Sequence, residues 1–262
     1  MNNRQQRLLD ALAQHAQLGI ATQHDYDKLS LYSIIAHSTA IEGSTLTDLE
    51  AQLLFDNDIA SGNRTMTEHL MNLDLRQAYH IGIQMMTEHR PLSTDMLRQL
   101  SAAVMRNTGT TYNTAVGTFN SAAGDLRLVN VTAGIGGRSY MNYTEVPAAV
   151  EQLCHKFNQR REASQHTDDV IEKYMTSFEA HYDLVVIHPW VDGNGRMARL
   201  LMNMLQYEAQ LLPVRVEREH KAQYIESLLR SREAKNSKPF IDFMLDEHYH
   251  NLSLEINRAT HD

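Results

Sequence analysis

Five polar side chains fall within twelve residues of this chain: His188, Asp192, Asn194, Arg196 and Arg199, with Gly193 and Gly195 among them. Such a set can handle a polyphosphate. A neutral imidazole accepts a proton near pH 7. A carboxylate holds a hard cation such as Mg²⁺. Glycines let successive backbone N–H groups close on an anion, because no Cβ stands in the way. Asn194 adds an amide donor for a phosphate oxygen. Arg196 and Arg199 can clamp charged oxygens in their planar forks. These are the parts for phosphoryl or nucleotidyl transfer, with His188 as base. Taken singly, His188 would be a histidine ending a helix, Asp192 a helix cap, and the arginines a solvated face. Their grouping argues for chemistry. Positive charge in the first turn of a helix opposes its dipole, so both arginines call for an anion or a carboxylate.

The loop has to be held between two helices. The apolar run Leu184, Val185, Val186, Ile187 predicts the end of a buried helix over 168–187. Leu200, Leu201, Met202, Met204 and Leu205 predict a second helix after the glycines, over about 188–211 with its loop. Helical spacing also covers 4–17, 47–55, 67–89, 93–106, 145–161, 217–232 and 240–256. Thr47 and Glu50 form a capping-box pattern. The fold class expected is all-α. Residues 109–143 break the pattern with six of the twelve glycines. Residues 126–131 and 140–143 predict two strands of a β-hairpin with a glycine-rich tip at 134–137.

A second group lies upstream. Leu29, Tyr32, Ile34, Ile35 and Ile41 sit at helical spacing between Tyr26 and Glu42, and Gly43 is a natural stop. Ser38 and Glu42 are four residues apart and share a face. A carboxylate there can reach a buried arginine elsewhere in the chain.

The bulk numbers exclude several classes. The 262 residues can bury a core without staples. One cysteine, Cys154, rules out a disulfide framework and suits a reducing cytoplasm. No apolar run is long enough to span a membrane, and no signal peptide is visible at the start. The chain has 24 basic and 32 acidic residues, a net charge of −8, which argues against nucleic acid as a partner. There is no Walker A pattern, no His-Glu-x-x-His pair and no dinucleotide fingerprint. Thirteen methionines are core filling. His248 and His250 are expected at the surface.

The stretch His188–Arg199 resembles the signature HPFxDGNGRxxR of Fic-domain proteins. Eight positions agree: His188, Pro189, Asp192, Gly193, Asn194, Gly195, Arg196 and Arg199. Chance would give this about once in 10¹⁰ starts at about 5% usage per residue type. Trp190 stands where Phe is usual, with similar bulk. Ser38 to Gly43 resembles the family's inhibitory signature [S/T]xxxE[G/N]. The resemblance implies one mainly helical Fic domain over 1–262, with a short β-hairpin flap over about 117–143 and an inhibitory helix over about 26–43. It implies a protein adenylyltransferase that moves AMP from ATP to a Ser, Thr or Tyr hydroxyl of a target protein docked at the flap. His188 would be the base, and Asp192 would hold Mg²⁺. Gly193, Asn194, Gly195, Arg196 and Arg199 would bind the nucleotide. Ser38 and Glu42 would inhibit, with Glu42 pairing with Arg199 away from solvent. Self-modification follows from such an activity, and assembly into a homo-oligomer is left open. Two rivals remain: removal of AMP by hydrolysis at the same site, and a non-catalytic nucleotide-sensing module. The flap pattern Gly-x-Tyr-Arg is only half kept in Gly117-Thr118-Phe119-Asn120.

Overall fold

The computed structural model describes residues 3–133 and 137–261. The expected tip glycines Gly134 and Gly136 lie outside the described residues. In chain order the elements are α1 (Asn3–Gln17), α2 (Tyr26–Ile41), α3 (Asp48–Asn57), α4 (Met66–Thr87), α5 (Thr94–Val104), β1 (Thr111–Thr114) and β2 (Gly117–Asn120). There follow α6 (Val146–Ser164), α7 (Val170–Ile187), α8 (Asn194–Glu208), α9 (Lys221–Ala234) and α10 (Lys238–His261). The chain is mainly helical with one short hairpin, as expected. No described helix is long and apolar enough to cross a membrane.

Two compact units form: residues 1–64 with 213–262, and residues 65–212. In the first, α1 packs on α10, α10 on α9, and α2 on α3. Thr47 caps α3 reciprocally with Glu50, as its sequence predicts. The helix α2 ends at Ile41, and Gly43 leaves it with φ 107°. His248 corrects the surface assignment. It is buried in α10, and desolvation pulls its pKa down to about 3.

In the second unit α8 is the central rod. It packs against α4, α5 and α7. Met197, Ala198, Leu200, Leu201, Met202 and Met204 are fully buried, so α8 presents almost no solvent face. Gly82 allows α4 to approach, since a Cβ there would stand 2.7 Å from Met204 Sδ. Polar groups inside are matched: Tyr79 donates to Asn203 Oδ1 at 2.7 Å, and Gln206 Nε2 donates to Ser177 Oγ at 2.9 Å.

The regular hairpin is not where the sequence pattern placed it. Thr111–Thr114 pairs antiparallel with Gly117–Asn120, and Tyr112 stacks on Phe119 with centroids 5.0 Å apart. Residues 126–143 form no ladder among the described residues, only a bridge between Thr132 and Ser139. Tyr140 N–H to Val131 O and Ala133 N–H to Arg138 O add two backbone bonds, and the Arg127 side chain holds the stretch further.

Candidate active site

The helix α7 carries the apolar face that the sequence predicts and ends at His188. His188 adopts φ 52° and ψ 63°, and its N–H closes the helix onto Leu184 O at 2.9 Å. A left-handed turn at a non-glycine residue is uncommon, and it marks a place where surrounding structure over-determines the backbone. Here the surroundings are explicit. Arg127 Nε donates to His188 O at 2.8 Å, and Arg127 N–H donates to Pro189 O at 3.0 Å. The same guanidinium donates to Val129 O and to Met141 O. Arg127 is 1% exposed, so a buried cation ties the loop entry to the 126–141 segment through carbonyls alone. Desolvation lowers its pKa. The sequence analysis missed this residue. Its one signal was a lone arginine inside the apolar run Leu126-Arg127-Leu128-Val129.

The loop is then fastened from within. Trp190 is fully buried and its Nε1 donates to Gly124 O at 3.2 Å. Gly124 has φ 70°, and a Cβ there would lie 2.0 Å from Arg98 O, so only glycine fits. Asn194 is buried and bonds the Trp190 backbone at both ends of its amide: Trp190 N–H donates to Oδ1 at 3.1 Å, and Nδ2 donates to Trp190 O at 2.9 Å. Its amide therefore shapes the loop.

Gly193 is the N-cap of α8, in a left-handed conformation at φ 81°, and as a glycine it makes no side-chain cap. A Cβ at Gly193 would stand 2.9 Å from Met105 Sδ. The first turn of α8 holds no acidic residue, and Arg196 and Arg199 are both buried. Arg196 reaches Val104 O at 3.4 Å and Met105 Sδ at 3.1 Å, and lies 3.6 Å from Asp192 Oδ1. Asp192 is 61% exposed at its side chain and accepts Gly193 N–H at 2.6 Å. A solvent-facing carboxylate beside a helix N-terminus has the chemistry to hold Mg²⁺, which keeps several waters and takes one or two carboxylates plus phosphate oxygens. The charge of Arg199 is felt nearby. Burial first, and Arg199 second, hold the pKa of His181 well below its ordinary value.

One face of the His188 ring is covered. The Tyr140 ring stacks on it with centroids 3.7 Å apart and planes 15° apart. The second unit therefore gathers His188, Asp192, Gly193, Asn194, Gly195, Arg196 and Arg199 at one helix end, all as the sequence grouped them.

Ser38 and Glu42 belong to the other unit. Ser38 is buried in α2, and Glu42 is the C-cap residue of that helix. Glu42 is exposed, against the expectation of a carboxylate withdrawn from solvent. This unit also holds the described group whose geometry could accept a metal: His37, Glu217 and Glu219. There His37 Nδ1 already accepts the Arg218 N–H at 3.0 Å, so its lone pair is engaged.

Comparisons with known proteins agree with this geometry. Residues 91–206 match the Fic/DOC family. Over 222 residues the chain is 25% identical to the protein adenylyltransferase Fic of Drosophila grimshawi, covering 84% of this chain and 41% of that protein. It is 28% identical over 198 residues to the protein adenylyltransferase fic-1 of Caenorhabditis elegans, covering 74% of this chain and 35% of that one. The chain thus spans about two fifths of the length of such relatives. Among solved structures, a Fic domain containing signaling protein from Bacteroides thetaiotaomicron superposes with TM-score 0.78 at 21% identity, covering 97% of each chain. Fic-1 from C. elegans gives 0.76 at 21% identity, covering 98% of this chain and 73% of that one. These likenesses establish the fold.

Proposed function

With residues 91–206 forming a Fic/DOC domain, we propose that the chain is a protein adenylyltransferase that moves AMP from ATP to a Ser, Thr or Tyr hydroxyl of a target protein. The observation that carries this is the helix end itself. The α8 N-terminus opens on a left-handed glycine that makes no side-chain cap, holds two buried arginines in its first two turns and lies six residues after His188. The first-turn N–H groups and both guanidiniums favour a polyphosphate there. Gly193 and Gly195 give the chain close approach, and Asn194 keeps the loop in shape. Arg196 and Arg199 take the β- and γ-phosphate charge. Mg²⁺, held by Asp192, supplies charge neutralisation when bound.

His188 then removes the proton from the target hydroxyl. The oxygen attacks the α-phosphorus, the bond to the β-phosphate oxygen breaks, pyrophosphate leaves and the proton stays on the imidazole until solvent takes it. The target segment docks along residues 117–143. An intact base favours catalysis over a module that only senses nucleotide, since binding alone needs no histidine. The relatives' names favour AMP transfer over AMP removal.

Glu42 restrains this activity in the same reading. A carboxylate at the C-terminal end of α2 faces that helix's negative pole, so it gains from a cationic partner. Arg199, at the positive pole of α8, gains from an anionic one. Their pairing leaves Arg199 unable to hold the γ-phosphate. Ser38, one turn earlier on the buried side of α2, holds the helix in place. Incubating wild type and Glu42→Gly with α-labelled ATP and a cell lysate tests the proposal. Label should pass to protein, faster with the variant, and to the chain itself. Absence of transfer from both, with ATP bound, would overturn it.

A further inference from the structure

The backbone of His188 is pinned from three sides, by Leu184 O, by Arg127 Nε and through Pro189 O. Those bonds fix where the side chain starts, not how its ring is turned. The imidazole can rotate about χ1 and χ2, and a base that rotates spends time aimed away from its proton. The ring at Tyr140 bears on this. It lies 3.7 Å from the imidazole centroid and within 15° of parallel. Tyr140 is itself held: its N–H donates to Val131 O at 2.9 Å, and the next carbonyl, Met141 O, accepts from Arg127. One buried guanidinium therefore registers both the histidine backbone and the segment that covers the histidine ring.

We propose that Tyr140 is a positioning residue for His188, fixing the imidazole plane and favouring the imidazolium that forms as the base takes its proton. This rests on His188 acting as base, as read above. The physical ground is twofold. A stacked aromatic ring limits the imidazole to orientations in its own plane. The negative face of the phenol ring also attracts a cation more than a neutral ring, so the contact strengthens between ground state and transition state. An interaction that strengthens in that interval raises kcat and leaves ATP binding alone. The phenol hydroxyl has no part in this, which separates the proposal from any proton-relay role.

Three variants and two readouts test it. Tyr140→Phe keeps the aromatic face, Tyr140→Leu keeps apolar bulk without it, and Tyr140→Ala keeps neither. In AMP transfer, made in the Glu42→Gly background, Tyr140→Phe should stay within about twofold of its parent. Tyr140→Leu and Tyr140→Ala should lose roughly 5- to 30-fold in kcat, the rate equivalent of a cation–π contact, with KM for ATP unchanged. The second readout needs no activity. Carbon-attached ring protons of His188, observed by NMR with labelled histidine, should be shifted upfield by the stacked ring in wild type and Tyr140→Phe, and relaxed towards ordinary values in the other two. Tyr140→Leu as fast as Tyr140→Phe overturns the proposal, and so does a Tyr140→Phe protein as slow as Tyr140→Ala. If no variant transfers AMP while the upfield shift follows the aromatic ring, the base assignment fails and the ring contact stands.

Discussion

Helices α4 and α8 pack against each other yet begin in opposite ways. At α4, Thr65 accepts Glu68 N–H and Glu68 Oε2 accepts Thr65 N–H at 2.8 Å, so the first turn is closed by its own side chains and carries a negative charge. At α8 the N-cap is a left-handed glycine with no side chain to cap with, no acidic residue lies in the first turn, and buried Arg196 and Arg199 lie in the first two turns. The first arrangement satisfies the helix dipole, and the second opposes it. In the proposed reading the α8 end offers its first-turn N–H donors and its positive field to a phosphate. The contrast with α4 is what such a site would require.

The largest expected effect separates chemistry from anion binding. His188→Ala should cut AMP transfer by roughly 10²–10⁴-fold, the usual worth of a general base. ATP affinity, read by calorimetry, should stay near wild type, because the proposed anion site is the α8 end and not the histidine. A parallel loss of affinity would mean that the loop, and not the base, had been broken.

Next comes the charge that the α8 end is proposed to borrow in the resting state. If Glu42 restrains Arg199 as proposed, a coupling of about 1–3 kcal/mol would hold activity down by roughly 5–150-fold. Glu42→Gly should release that factor. Arg199→Ala should not, since the active pose needs the arginine, and the double variant should behave like Arg199→Ala alone. Self-modification rates of all four proteins decide it. Equal rates for Glu42→Gly and wild type would leave α2 as core and nothing more.

A smaller effect tests how positive the interior behind α8 is. His181 is fully buried, and desolvation followed by Arg199 keeps it neutral far below its ordinary pKa. The sign follows directly. Below about pH 6.5 the unfolded chain binds a proton at this position that the folded chain refuses. Stability is therefore whole above that pH and falls as the pH drops towards the lowered folded value. The slope is about 1.4 kcal/mol per pH unit from this group. His181→Asn should flatten the urea-midpoint profile between pH 6.5 and 5 by that amount. An unchanged slope would place the acid sensitivity elsewhere.

Much of this was legible in the residues. The helix ends marked by Thr47 and Gly43 fall where those residues predict, because caps are local. The grouping from His188 to Arg199 was legible because a loop and one helix turn hold it together. The hairpin was misplaced for a local reason too. Its turn is Ala115-Val116, which carries none of the usual turn residues, and only Gly117 at φ 141° betrays it. The residues at 126–131 and 140–143 attracted the assignment instead, yet they are organised by Arg127 and by Tyr140 on His188. Those are contacts across 61 and 48 residues, and no periodicity reports them. The same holds for Asn194, whose amide is turned inward by Trp190, and for His248, whose burial is decided by helix packing.

The smallest prediction returns to α4. Thr65→Ala removes the hydroxyl that accepts Glu68 N–H and donates to the Glu68 carboxylate. Loss of an N-cap costs about 1 kcal/mol. The cost falls on a turn whose satisfaction is internal, so it should appear as a lower urea midpoint with an unchanged m-value. Transfer rate and ATP affinity should not move, because α4 offers nothing to a ligand at that end. Adding ATP with Mg²⁺ should raise the midpoint of Thr65→Ala as much as that of wild type, since the ligand completes the α8 end alone. A Thr65→Ala protein that lost ATP affinity would show that the α4 cap also serves the nucleotide. The two helix beginnings could then no longer be read as one built for stability and one for binding.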